Sequence, residues 1–233
     1  MQENAIYVKR YTGEADVGAV RQSEIWRYSG HTGSKESISE ELQSVLLDVM
    51  EEVKGQFVYQ VCYRKMPLIW EGSVPKLPFA VQSVGLAKCL KGCDEVIIFA
   101  ATIGLAPDRY IARYQRISPL KALLMQAYGA ERIESLCDTF CEELKLQAAK
   151  LNRTCSARFS PGYGDLPLEV QREIFALLDC NRQIGVSLNE SLLMMPSKSV
   201  TAILGVGECV AKRALHKCSA CSKQNCEYRN VEE

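Results

Sequence analysis

Arg158-Phe-Ser-Pro-Gly-Tyr163, followed after a helical segment by Gly185-Val-Ser-Leu-Asn-Glu-Ser-Leu-Leu-Met-Met-Pro196 and Ser199-Val200, is the stretch on which the reading of this chain turns. It joins a guanidinium, a rigid turn carrying an aromatic hydroxyl, and a second polar turn. Arg158 keeps its charge at any working pH and presents a planar fork of donors that matches a carboxylate or a phosphate. Pro161 fixes φ and offers no N–H, while Gly162 can take positive φ and lets a ligand approach the main chain. Tyr163 is aimed by that stiff turn. Together these residues suit a small zwitterionic ligand.

The R-x-x-x-G-Y of Arg158, Gly162 and Tyr163, with Leu188-x-Glu190-Ser191-x-x-Met194-x-Pro196-x-x-Ser199-Val200 after it, resembles the activation domain of cobalamin-dependent methionine synthase. The specific match covers roughly a fifth of the chain. Glu24-Ile-Trp-Arg-Tyr-Ser-Gly30, Ala100-Ala-Thr-Ile-Gly104 and the final cysteine cluster are similar to the free-standing, single-domain relatives that act as separate subunits. The resemblance implies an α+β fold, a curved, largely antiparallel sheet with packed helices. It also implies an S-adenosylmethionine site. There Arg158 would pair with the carboxylate, main-chain groups of Ser160, Pro161 and Gly162 would meet the adenine edge, and Tyr163 would lie near the sulfonium. Aromatic faces attract such cations by ~0.5–2 kcal/mol. Glu190 is a further candidate for the positive end. Relatives place a carboxylate on the helix before the arginine, and Glu131 and Glu134 both qualify.

In that family the activation module holds the methyl group in line with cobalt while one electron and S-adenosylmethionine rescue the inactive cob(II)alamin, catalysis mainly by positioning. With two histidines and no Asp-x-His-x-x-Gly pattern, this chain shows no sign of the usual cobalamin-ligating module. The expectation is a reactivation subunit that meets the cobalamin on a partner methionine synthase subunit, with an electron donor such as a flavodoxin or ferredoxin. The alternatives are a non-catalytic docking module and a metal or redox protein acting through its tail. Where relatives continue past Ser199-Val200 with aromatic residues, this chain has Thr201-Ala-Ile-Leu-Gly-Val-Gly207.

The 233 residues, 47% hydrophobic, suffice for a sizeable core. The expected division is one domain over 1–207 and a Cys-rich tail over 208–233. Lys+Arg and Asp+Glu balance at 28 each, so no general attraction to nucleic acid or to an anionic membrane is expected. The first residues lack a signal-peptide pattern and no apolar run approaches a membrane span, which makes a cytoplasmic protein the expectation. Eleven cysteines without a secretion signal point to reduced thiols rather than a disulfide framework.

Outward from the motif, period-two and period-3.6 patterns supply the elements. Ile6-Tyr-Val8 reads as a short strand, followed by a polar linker. Ser37 with Glu40 is a capping-box pattern opening a helix whose apolar face is Ile38, Leu42, Val45, Leu46, Val49, Met50 and Val53. Phe57 to Arg64 alternates as a strand, with Ile69–Val74 as its hairpin partner. Ser83 to Leu90 is a helix, and Glu95-Val-Ile-Ile-Phe-Ala-Ala101 a central strand. Pro107 starts another helix. Ser118 caps a long one running to about Leu151, with Cys137 and Cys141 one turn apart in its core face. Asp165 reads as the N-cap of the helix ending near Asp179.

In the tail, Cys218-x-x-Cys221-x-x-x-x-Cys226 sets three thiols close enough to chelate zinc or an iron–sulfur cluster. For the fourth position Cys209 is the softer ligand and His216 the nearer one. Free thiols on a basic terminus are the competing reading.

Overall fold

A computed structural model describes residues 5–31 and 38–208. The run Glu95–Thr102 becomes β5, the middle strand of a five-stranded sheet ordered β1-β2-β5-β9-β6, in which β1 is Tyr7–Arg10, β2 Gln60–Pro67, β6 Thr154–Cys155 and β9 Ser199–Gly207. Every pairing in it is antiparallel. From Val96 onward β5 is buried on both faces, which explains its unbroken apolar sequence. Each such Ile, Val or Phe contributes about 1.5–3 kcal/mol of burial.

The sheet separates two cores. One face meets α1 (Gln22–Tyr28), α2 (Glu40–Glu52), α4 (Ala106–Tyr114) and the 31-residue α5 (Pro119–Ala149), packing Leu46, Val49, Leu136 and Phe140 against Phe99 and Leu204. The other meets α3 (Val84–Leu90), α6 (Val170–Leu178) and α7 (Cys180–Ile184), which bury Leu86, Ile174 and Ile184 with Ile98, Phe159 and Ile203. Even-numbered side chains of β9 enter the first core and Ile203 the second, as the strand period requires. Two small hairpins complete the described residues, β3 (Ile69–Glu71) with β4 (Val74–Lys76) and β7 (Ser187–Leu188) with β8 (Met194–Met195).

Several local expectations change. Ile69–Val74 does not pair with β2; it closes on itself as β3–β4, and β2 lies between β1 and β5. The polar linker contains α1, too short to show a period and held by Ile25 and Trp26 against α5. The cap of α2 is Ser39, whose hydroxyl accepts from Leu42 N–H at 3.3 Å; Ser37 lies outside the described residues. Ser118 stands at the start of α5, but its side chain makes no capping bond.

Asp165 does not cap the helix that follows it. Its carboxylate accepts from Ser83 Oγ (2.5 Å), Val84 N–H (2.7 Å) and Gly85 N–H (3.1 Å), so it caps α3 across the fold. The hydroxyl of Ser83, the largest influence, together with those N–H groups outweighs burial and holds its pKa below the ordinary carboxylate value. Thr201–Gly207, which had no assigned structure, is most of β9.

Candidate functional site

Arg158 and Tyr163 mark the two ends of a turn at the sheet edge. Phe159 forms a two-way backbone pair with Ile203, both bonds 2.8 Å, and the pairing stops there. Two residues on, Pro161 has no N–H to continue the ladder, so the chain turns away. Gly162 takes φ 83°, and its N–H donates to Leu166 O at 2.9 Å while Tyr163 N–H donates to Ser160 O at 3.1 Å. An added Cβ at Gly162 would sit 3.2 Å from Leu168 Cδ1, on top of the backbone strain.

Successive side chains leave this edge on opposite faces. Phe159 enters the α3/α6 core, and Tyr163 packs edge-on against it with centroids 5.5 Å apart, remaining 52% exposed. Arg158 goes to the α5 side. Its Nη2 lies 2.5 Å from Glu134 Oε2 and 3.2 Å from Asp138 Oδ1, while Nη1 is buried with no acceptor. Burial works against the charge, but Cys137 and the two carboxylates outweigh it and hold the Arg158 pKa above its ordinary value. The guanidinium is therefore permanently charged, with one donor direction unmatched.

The two glutamates on α5 have different environments. Glu131 is fully buried and accepts from Arg132 Nε (2.6 Å) and Nη2 (2.9 Å), Ser135 Oγ (2.8 Å), and the backbone N–H and Nε of Arg21 (3.2 and 3.3 Å). Both of its oxygens accept hydrogen bonds inside the fold. Glu134, half-buried beside Arg158, is the carboxylate at the motif. Asp138 joins it from one turn further along; the i, i+4 spacing from Glu134 is the signal that could have found it.

Glu190 sits on the exposed β7–β8 turn, where its backbone carbonyl accepts from Arg172 Nη2 at 3.1 Å. Pro161 is buried, and Ser160 is half-buried. Cys137 and Cys141 are core residues, and burial raises both thiols, Cys141 to about 11. Among the described residues no three His, Cys, Asp or Glu side chains are grouped to hold a metal. The tail candidates Cys209, Cys218, Cys221 and Cys226, with His216, lie outside the described residues. Among the described residues no helix is long and apolar enough to cross a membrane.

Two cavities stand apart from the motif. One, of about 580 Å³, lies between Glu52, Val58, Arg109 and Tyr110; the other, of about 930 Å³ and mostly apolar, lies between Trp70, Val74, Val84 and Leu86. Neither is lined by Arg158 or Tyr163.

Residues 87–228, more than half of the chain and including the whole Arg158–Val200 stretch, match the family described as vitamin B12 dependent methionine synthase, activation domain. The chain belongs to that family. Among solved structures, the fold is similar to the MetH reactivation domain bound to AdoHcy, with a TM-score of 0.63 and 15% sequence identity over 88% of this chain and 79% of that one. No curated protein matches. The α+β architecture of the activation-domain family, an antiparallel sheet with seven helices among the described residues, is thus the architecture found here.

Proposed function

We propose that this activation-domain protein binds S-adenosylmethionine at the Arg158–Tyr163 turn and presents it to cobalamin held by a partner methionine synthase subunit. The observation that carries this reading is the Arg158 cluster, a permanent cation with a buried, unmatched Nη1 and two carboxylates, Glu134 and Asp138, at its side. An α-amino acid end offers one carboxylate and one ammonium. The first complements the guanidinium fork and the second the carboxylates, so a zwitterion matches the cluster where a simple anion meets two like charges.

Tyr163 then lies one turn away with its ring at the surface, suited to the sulfonium end. The Gly162 turn and the Phe159 ring that Tyr163 packs against fix its position. When bound, S-adenosylmethionine supplies the methyl group, and an electron donor supplies the electron that the partner's cobalamin needs. The residues of this chain bind and orient; no side chain at the turn is required to move a proton. Membership of the activation-domain family and the likeness to a reactivation domain bound to AdoHcy support the ligand class. Residues 1–207 would form this module, with the Cys-rich 208–233 as an appendage.

The test is calorimetric titration with S-adenosylmethionine, followed by transfer of labelled methyl to a cob(II)alamin-loaded partner under reduction. Wild type should bind, and Arg158→Ala should weaken by about 2–4 kcal/mol, the cost of removing one member of a desolvated charge pair. Absence of binding heat in folded wild type, or equal affinity in the variant, defeats the assignment.

A further inference from the structure

We infer that Thr201 is the residue that reads the purine ring of the S-adenosyl ligand, through its backbone N–H at the end of the β9 edge pairing and its hydroxyl on the adjoining α6 face. The inference rests on the reading of the Arg158–Tyr163 turn as the S-adenosyl site. It begins from strand alternation. Asp94 N–H donates to Val206 O, so the even-numbered residues of β9 turn their backbone groups toward β5. The odd-numbered ones turn the other way, as Ile203 does in its pair with Phe159 and as Gly205 does when its carbonyl accepts from Ser156 N–H. Thr201 is next in that odd series.

Carried two residues past Phe159 and Ile203, the register sets Thr201 opposite Pro161, where the ladder has ended. By that alternation the N–H and C=O of Thr201 point away from β5, no bond joins them to the turn across the edge among the described residues, and its Oγ1 is buried with no partner. The residue is only 2% exposed. A buried hydroxyl without a partner is a costly arrangement, about 1–3 kcal/mol for the group left unmatched. A second buried acceptor without a partner, Gln171 Oε1, lies on α6, which packs on the same face of the sheet as the Thr201 side chain.

The turn across from Thr201 supplies the complementary half. Gly162 N–H and Tyr163 N–H are used within the turn and Pro161 has none. Ser160 keeps its N–H, but the alternation directs it away from β9. What the turn offers toward β9 is the carbonyl of Pro161, which accepts no backbone bond among the described residues. A carbonyl can take the exocyclic amine of adenine, but it cannot donate to a ring nitrogen. Thr201 supplies that donor. An adenine slotted between Pro161–Gly162 and Thr201 would have its amine and ring nitrogen both matched. A 6-oxopurine, which exchanges the amine for an acceptor and the neighbouring ring acceptor for a donor, would oppose both.

The experiment titrates wild type and Thr201→Val with S-adenosylhomocysteine and with S-inosylhomocysteine, and records thermal unfolding of both proteins without ligand. Valine keeps the β-branched shape and the backbone N–H. Wild type should prefer the adenosyl ligand by at least about tenfold, and Thr201→Val should bind it about tenfold more weakly. The variant should also melt no lower than wild type, because it loses a buried hydroxyl that had no partner. Equal affinity in wild type and variant, or equal affinity of wild type for the two ligands, overturns the Thr201 assignment while leaving the site. Wild type that binds neither ligand removes the site and the inference together. A variant that melts well below wild type marks the hydroxyl as structural, and overturns the inference as well.

Discussion

Exchange of each α5 glutamate for glutamine separates the structural carboxylate from the one at the motif. Glu131→Gln places an amide among five donors, against Arg132, which is itself fully buried and also donates to Gly18 O, Ala19 O and Ser135 Oγ. Breaking a buried ion pair by changing one partner costs about 3–5 kcal/mol. For a chain of this size that is ~6–20 °C in melting temperature. Glu134→Gln removes one ion pair between side chains that are 34% and 26% exposed, so its stability cost should stay under about 1 kcal/mol. In calorimetry with S-adenosylhomocysteine the order reverses: Glu134→Gln loses at least ~1.4 kcal/mol of affinity, a factor of ten, and folded Glu131→Gln binds as wild type does.

Acid sharpens the contrast. Burial opposes the Glu131 charge, but Arg132 and Ser135 outweigh it and hold its pKa below the ordinary 4.5. Its contribution to stability is therefore complete above that value and is lost as pH falls through the lower folded-state pKa. Urea unfolding at pH 7 and at about pH 3 should show Glu131→Gln and wild type converging in acid. Equal melting temperatures for wild type and Glu131→Gln at pH 7, or a greater loss in Glu134→Gln, would refute the division of roles.

Lys198, only 7% exposed and with no hydrogen bond or ion pair to its side-chain amine among the described residues, lays its stem across Gly129 of α5, where an added Cβ would meet Lys198 carbons at 3.0–3.2 Å. Gly129→Ala should therefore destabilise wild type in thermal denaturation. In a Lys198→Ala background it should stabilise by about 1 kcal/mol, the helix-propensity gain. Burial lowers the Lys198 pKa, only partly offset by Asp108, so below that pKa a charged amine is held against its preference. Lys198→Met should raise stability by about 1 kcal/mol near neutrality, and that advantage should shrink as pH rises through the folded-state pKa toward 10.5. Asp165→Ala should lower the melting temperature and speed hydrogen exchange at the start of α3, measured by amide exchange, with little change in α6. Gly207→Ala, whose Cβ would lie 2.1 Å from Gly92 O, should cost more than about 2 kcal/mol in urea unfolding because backbone, not a flexible side chain, must yield.

The parts of the fold that could be read directly are those in which one signal dominates. Glu95–Thr102 is apolar and β-branched throughout, and a strand buried on both faces is the element that pattern specifies. Leu124, Leu136, Phe140 and Leu144 recur at helical spacing over a length that leaves no alternative to α5. Thr201–Gly207 escaped because two glycines interrupt its strand character. They are there for close packing: a Cβ at Gly205 would meet Cys93 Sγ at 2.4 Å, so the side chain that is missing reflects the neighbour. The α1 helix was hidden by brevity, and the β2–β4 connections by long-range pairing that no local pattern encodes.

At the motif, the sequence indicated an arginine, a rigid turn and a tyrosine, and it left Glu131 and Glu134 equivalent. Three positions decide their difference only in space, since Arg132 and Ser135 point Glu131 inward while Arg158, from beyond the helix end, collects Glu134 and Asp138. Asp165 was misread for a related reason: its own helix was the nearest candidate in sequence, yet the helix it caps starts about eighty residues earlier.

Arg158 and Phe159 are neighbours in the chain, yet one reaches the α5 layer and the other is embedded in the α6 layer. Relative movement of those layers would therefore change the spacing between the Arg158 guanidinium and the Tyr163 phenol that packs on Phe159. If the turn holds the ligand as proposed, a partner that displaced α5 would alter that spacing from a distance, with the peptide link between Arg158 and Phe159 as the fulcrum.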